Sequence, residues 1–331
     1  MFAPRVLGSR RDRAQPPSRR YLGPGPTGAE ALRAASRIAR GVPLATVRRM
    51  TEPQHPAVIE DSSYSADWIA ERDHLEVAAY DDGVVLVTLH NPERRNAMSD
   101  RMTAAWPVLV ETLRTDPDLR VVVVTGAGAG FCSGGDHGWI GGDPDASVVE
   151  LRERMLGFYR GWLSIRSLEV PTIAAVNGAA VGAGAALALA CDVRYAAASA
   201  RFSVPFAALG LHPGMATTWL LPEIVGLPAA RDLLLTGRVA DSAEMLRLGL
   251  VSSVSGDDGF VEGVLHAAHS VAAGAPVAVR LTKVALSAGF ATFDDALQWE
   301  ALAQSVTLAS HDLQEGLAAA REKRPPRFTG R

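Results

Sequence analysis

The segment 171–192, PTIAAVNGAAVGAGAALALACD, carries no charge until its final aspartate. With Val170 it forms an uncharged run long enough to cross a bilayer, and Gly178 and Gly182 form a small-xxx-small pair. Its composition points elsewhere. Alanine and glycine dominate, Pro171 and Asn177 interrupt the first half, and neither a second such run nor a basic flank accompanies it. The segment reads as a buried strand over 172–176, a tight glycine loop and a buried helix. Residues 1–22 lack the continuous apolar core of a secretory signal. A soluble, cytoplasmic protein with no membrane partner is expected.

The flanking sequence repeats the same texture. Residues 75–79 and 84–89 are apolar, β-branched runs separated by Asp81-Asp82-Gly83, which predicts a hairpin. Ser99 caps a helical pattern through Met102, Trp106, Leu109 and Leu113, with Pro107 inside it. Residues 119–125 read as a buried strand running into the glycine-rich TGAGAGFCSGGD, and a further helix is expected over 148–165. From Thr217 the chain reads mainly as helix. Turns are expected at 226–228, 241–242 and 275–276, with one short strand at 250–254. Strand, loop and helix repeat in order, so an α/β core with a helical carboxy-terminal region is expected.

Of the 331 residues, 48% are apolar, and the net charge of -3 provides no global field for nucleic acid. The charge is unevenly placed. The first 49 residues carry 11 arginines, no lysine and two acids, leaving 22 of the 33 basic side chains and 34 of the 36 acidic ones to the remainder. Residues 1–70 are expected to be a disordered extension. The first 49 residues read either as an organellar leader or as translated sequence upstream of a start at Met50, and the second reading is preferred. Cys132 and Cys191 cannot build a disulfide framework or a zinc cage, and no metal is expected.

Two chemical readings of the glycine loops remain open at this point. VVVVTGAGAG could be a dinucleotide-binding turn, but it gives G-x-G-x-G without an immediate helix, and Asp136 comes too early to bind a ribose. Alternatively, the loops FCSGGD and VGAGAAL each aim a backbone N–H at one point and form an oxyanion hole.

Five ordered motifs resemble the enoyl-CoA hydratase/isomerase, or crotonase, superfamily over residues 75–330. They are NPERRNAMS (91–99), GAGAGFCSGGD (126–136), the opening segment 171–192, ARFSVPFAALGLHPGMATTWLLPEIVG (200–226) and EGLAAAREKRPPRF (315–328). The resemblance implies a spiral of ββα units over 71–265, with a helical region over 266–331 that assembles trimers or hexamers. It implies an acyl-CoA thioester as ligand, coenzyme A being part of the substrate with no separate cofactor, and a place in lipid metabolism as a lyase or isomerase. By position, Gly135 and Ala183 would be the backbone donors to the thioester oxygen. Arg94, Arg95, Asn96 and Ala97 would meet the adenine and phosphates, and Lys323 would supply a CoA-phosphate contact from a neighbouring subunit.

The departures from the family pattern are chemical. Where hydratases of the family place two glutamates, this chain has Ala186 and Phe206, and a third position that carries a carboxylate in some branches is Gly214. None of these can move a proton, and general acid–base help contributes about 10²- to 10⁴-fold. His212 and His137 are the candidate replacements, since imidazole titrates near neutrality; each also has a structural reading, as a loop hydrogen bond or as part of a lid. Asp136 is expected to hold its loop. Trp139, Ala186, Phe206 and Met215 are expected to shape an apolar acyl pocket, with 139–149 as its lid. The expected function is enolate chemistry at an acyl-CoA without the usual two-glutamate hydration. The alternatives are a non-catalytic acyl-CoA binder and an acyl-CoA hydrolase.

Overall fold

Two β-branched runs seed the main sheet. Strands β3 (Val84–Leu89) and β4 (Val121–Gly126) lie parallel, with Val84 opposite Val121 and Leu89 opposite Gly126. Every residue of β4 is buried. A parallel strand covered on both faces has no polar side, which explains its continuous valine run. β2 (Leu75–Tyr80) folds back antiparallel on β3 through the expected turn, and β1 (Val58–Ile59) adds to β2 with Val58 opposite Tyr80. The computed structural model describes residues 58–59, 74–136 and 145–331. Val58 and Ile59 of the expected extension 1–70 pair through their backbone with the edge of β2; the rest of 1–70 lies outside the described residues.

Helix α1 (Asp100–Thr115) joins β3 to β4. Ser99 caps it, its hydroxyl accepting from the Met102 amide at 3.3 Å, and Met102, Trp106, Leu109 and Leu113 are buried as their spacing predicts. From β4 the chain winds as a spiral in which each turn adds one strand to each of two sheets and then a helix. β4 leads to β5 (Gly130–Cys132) and α2 (Val148–Leu163), and β6 (Thr172–Val176) leads to β7 (Ala179–Val181) and α3 (Ala183–Ala190). β8 (Val193–Ala197) leads to β9 (Arg201–Ser203) and α4 (Thr217–Thr236). β10 (Ala240–Asp241) and β11 (Ser253–Ser255) close the sheets, whose orders are β1-β2-β3-β4-β6-β8-β11 and β10-β9-β7-β5. This is the spiral of ββα units that the motifs implied.

The larger sheet is covered on both faces. Val85, Val87, Val122 and Val124 join α1 and α3 in one core, while Val84, Val121, Val123 and Ile173 pack against Phe260, Val264, Leu265 and Ala268 of α6 (Phe260–Ala272). α5 (Ser242–Arg247) precedes it, and α7 (Pro276–Ala288), α8 (Phe293–Leu308) and α9 (His311–Glu322) follow. The expected division at 265/266 falls inside α6, because that helix is part of the sheet's cover; the separate helical region begins at Pro276. Among the described residues no single helix is long and apolar enough to cross a membrane. The uncharged segment 170–191 is occupied by β6, β7 and α3. α3 is buried along its whole length, and a Cβ at Gly184 would run into the Cys132 carbonyl, so small side chains are required there.

Candidate active site

Two asparagines shape the first glycine loop. Asn96, fully buried with φ of 55°, donates from Nδ2 to the Ala127 and Gly130 carbonyls at 2.9 and 2.8 Å, and its Oδ1 accepts from the Asn91 amide. Asn177 donates to the Gly126 and Gly128 carbonyls and accepts from the Gly126 amide. The loop's polar atoms are thus turned toward the protein, and the chain continues into β5 rather than a helix. The geometry disfavours the dinucleotide-turn alternative.

Beyond β5, the Ser133 amide donates to the Arg95 carbonyl at 3.0 Å and the Met98 amide to the Gly134 carbonyl at 2.8 Å. Gly134 has φ of 97°, a conformation suited to glycine, and carries the chain to Gly135. In the second loop, Gly182 has φ of 55° and its amide donates to the Ser203 carbonyl at 2.9 Å, so that α3 begins at Ala183. The parallel pairing of β5 with β7 brings the two loops side by side. The amides of Gly135 and Ala183 have no acceptor among the described residues. The Ala183 amide also sits at the positive end of the α3 dipole.

Both amides border a cavity of about 500 Å³. Its walls are largely apolar, with Met155 and Phe158 from α2 on one side and Phe206, Leu209 and Met215 on the other. Met215 and Ala216 both have left-handed φ, at 52° and 55°, so the backbone is strained where the cavity wall enters α4. Paired amides beside an apolar chamber can stabilise an oxygen that gains negative charge.

The remaining sequence-derived positions fall into distinct places. His212 lines the cavity, and its Nδ1 lies 2.8 Å from the Pro213 carbonyl oxygen. A carbonyl can only accept, so Nδ1 carries the proton and Nε2 of the neutral ring keeps its lone pair. Phe206 lines the cavity from the position that caps a short 3₁₀ turn, Ala207–Leu209. Ala186 is fully buried within α3 and is absent from the cavity wall. Its side chain packs within the core cluster. Asp136 forms an ion pair with Arg94, Nη1 to Oδ2 at 2.5 Å, which ties the two motifs together. Arg95 is exposed, Ala97 is buried, and the Asn96 side chain is occupied by loop contacts, so it is not available to a nucleotide as expected. Lys323 is exposed at the end of α9 with a left-handed φ of 57°. His137 and Trp139 lie outside the described residues, as does 139–144 of the expected lid. Burial pushes the Cys132 thiol up to about 12, so it stays neutral and unreactive.

Several cavity residues, Met155, Phe158 and Leu209 among them, were not anticipated from sequence, and one of these is polar. Tyr159 on α2 lines the chamber beside Gly214, where an added Cβ would lie 2.5 Å from the Tyr159 hydroxyl oxygen. α2 is anchored one turn away by Trp162, whose ring stacks on Trp106 at 4.9 Å and whose carbonyl accepts from Trp106 Nε1 at 3.0 Å.

The profile of the enoyl-CoA hydratase/isomerase family matches residues 79–331. A probable enoyl-CoA hydratase of Mycobacterium tuberculosis is 39% identical over 257 residues, covering 76% of this chain and 93% of the relative. A 1,2-epoxyphenylacetyl-CoA isomerase of Escherichia coli is 36% identical over 251 residues, covering 75% and 96%. The crystal structure of an enoyl-CoA hydratase from Bacillus anthracis superposes with a TM-score of 0.74 at 32% identity, over 78% of this chain and all of that one.

Proposed function

The chain belongs to the enoyl-CoA hydratase/isomerase family, and we propose that it acts on an acyl-CoA thioester by stabilising an enolate, without the two-glutamate hydration route. The observation that carries this reading is the pair of unclaimed amides, Gly135 and Ala183, on the rim of one apolar cavity. Both would donate to the thioester oxygen. Each such donor is worth about 3 kcal/mol as charge develops on that oxygen.

His212 is the base in this reading. Nε2 takes the proton from the carbon next to the thioester; the C–H electron pair becomes the new carbon–carbon double bond, and the carbonyl pair moves to the oxygen held by the amides. Return of a proton to the same carbon completes exchange; where the acyl chain carries a 3,4-double bond, the dienolate instead takes the proton at its γ carbon, which completes isomerisation to the 2-enoyl thioester. The Pro213 carbonyl fixes the ring tautomer that this step requires.

The coenzyme A nucleotide would lie along 94–97, where Arg95 offers an exposed guanidinium. Lys323 would reach it from a neighbouring copy. Exposed Leu286, Phe293 and Leu302 on α7 and α8 support assembly into a trimer or hexamer through the helical region. A cytoplasmic location fits such a substrate. The aryl acyl group named for the Escherichia coli relative suits a chamber walled by Phe158 and Phe206.

A second reading, a non-catalytic acyl-CoA carrier, is favoured by Phe206 facing the cavity and by Ala186 lying outside it. Mass spectrometry of saturated and 2-enoyl CoA thioesters incubated with the protein in deuterated water separates the readings. Protein-dependent α-deuterium or an isomerised product supports enolate chemistry, and free acid identifies a hydrolase. Tight binding with every thioester unchanged supports the carrier.

A further inference from the structure

We infer that the Tyr159 hydroxyl makes this cavity selective for acyl groups that carry an oxygen of their own, as a hydroxyl, oxo or ether group beyond the thioester. The inference rests on the acyl-CoA reading above and deepens it to a substrate class.

Three observations converge on this residue. First, Tyr159 is half-buried on α2 and lines a chamber whose neighbouring walls are Met155, Phe158, Phe206 and Met215. Its hydroxyl has no hydrogen-bond partner among the described residues. The adjacent Gly214 carbonyl already accepts from the Thr217 amide at 3.1 Å and the Thr217 hydroxyl at 2.8 Å. Desolvation raises the Tyr159 pKa above that of an ordinary phenol, so it remains a neutral donor.

Second, Gly214 makes room for that hydroxyl. Its φ is not positive, so the backbone there does not demand glycine; the close approach of the Tyr159 oxygen does. Any side chain at 214 would push the hydroxyl out of its place.

Third, α2 is fixed by the Trp106–Trp162 stack one turn beyond Tyr159, so the hydroxyl is presented from a rigid element. A donor facing an apolar chamber is satisfied by a ligand oxygen and left unpaired by a plain hydrocarbon chain. Sites built this way discriminate against ligands that lack the matching polar atom.

The test is calorimetric binding of matched pairs of saturated acyl-CoA thioesters that differ only by a hydroxyl or oxo group along the chain. It uses the wild-type protein, Tyr159→Phe and Gly214→Ala. The wild type is expected to prefer at least one oxygenated member by about tenfold. Tyr159→Phe is expected to abolish the preference and to bind the plain thioester at least as tightly as the wild type, since no donor is then left unpaired; an unchanged circular dichroism spectrum and thermal melt establish that the variant is folded. Gly214→Ala is expected to weaken the preference. Equal affinity for both members of every pair in the wild type, or a preference that survives Tyr159→Phe, overturns the inference. Failure of every thioester to bind overturns the acyl-CoA reading beneath it.

Discussion

A Cβ placed on Gly134 would lie 3.2 Å from the Ala183 amide nitrogen, and 2.8 Å from the Val181 carbonyl oxygen next to it. The two donor loops are thus fitted against each other at a residue that also holds φ of 97°. Gly134→Ala is expected to cost about 1–3 kcal/mol of stability through crowding. By displacing the Gly135 and Ala183 amides it is also expected to lower turnover about 100-fold or more. Gly157→Ala on α2, where an added Cβ meets nothing within 4 Å, is the control, with full activity and a slightly raised Tm. Thermal melts and initial rates on the two variants check both statements.

His212→Gln removes the lone pair assigned to Nε2 while keeping a polar side chain of similar reach. Turnover is expected to fall by about 10²- to 10⁴-fold, with thioester affinity little changed. Unchanged kcat would eliminate His212 as the base.

Asn96→Ala leaves the Ala127 carbonyl and the Asn91 amide without their side-chain partner, leaves the Gly130 carbonyl only the long contact from Asn177 Nδ2 at 3.5 Å, and places alanine at φ of 55°. A loss of about 3 kcal/mol is expected in denaturant unfolding. The cost is to the fold, since this side chain is held by the loop rather than presented to a ligand.

Glu315 accepts from the Arg324 guanidinium at 2.6 Å and from the Arg327 amide at 2.8 Å, contacts that bring its pKa down to about 2. A carboxylate whose pKa is lowered by folding contributes stability above its unfolded pKa and loses that contribution as pH falls toward the folded value. Glu315→Gln is therefore expected to be less stable than the wild type at neutral pH. The two Tm values should converge as pH falls from the ordinary glutamate range toward 2.

Much of the fold was legible because its elements announce themselves locally. The valines of β4, the Ser99 cap and the alanine-rich α3 each follow from burial or capping that a single segment reveals. Part of the candidate site was legible because glycine loops mark close approaches and the motifs follow in order: Gly135, Ala183, Phe206, His212 and Met215 all border the cavity. Tyr159 was not legible: it looks like one more aromatic on a helix, and the role proposed for it depends on its approach to Gly214, 55 residues away in sequence. Asn96 lay inside a motif expected to meet a nucleotide, and only the fold shows it reaching Ala127 and Gly130. Ala186 matches its motif position, and the helix that carries it is buried along its whole length.

The proposed grip of the Gly135 and Ala183 amides on a thioester oxygen would draw charge onto that oxygen. Isotope-edited infrared difference spectroscopy of an acyl-CoA labelled with ¹³C at the thioester carbonyl reports on that oxygen directly. On binding, the labelled stretch is expected to move to lower frequency, and Gly134→Ala is expected to reverse much of the movement. A bound thioester whose carbonyl stretch stays at its solution frequency would contradict the account.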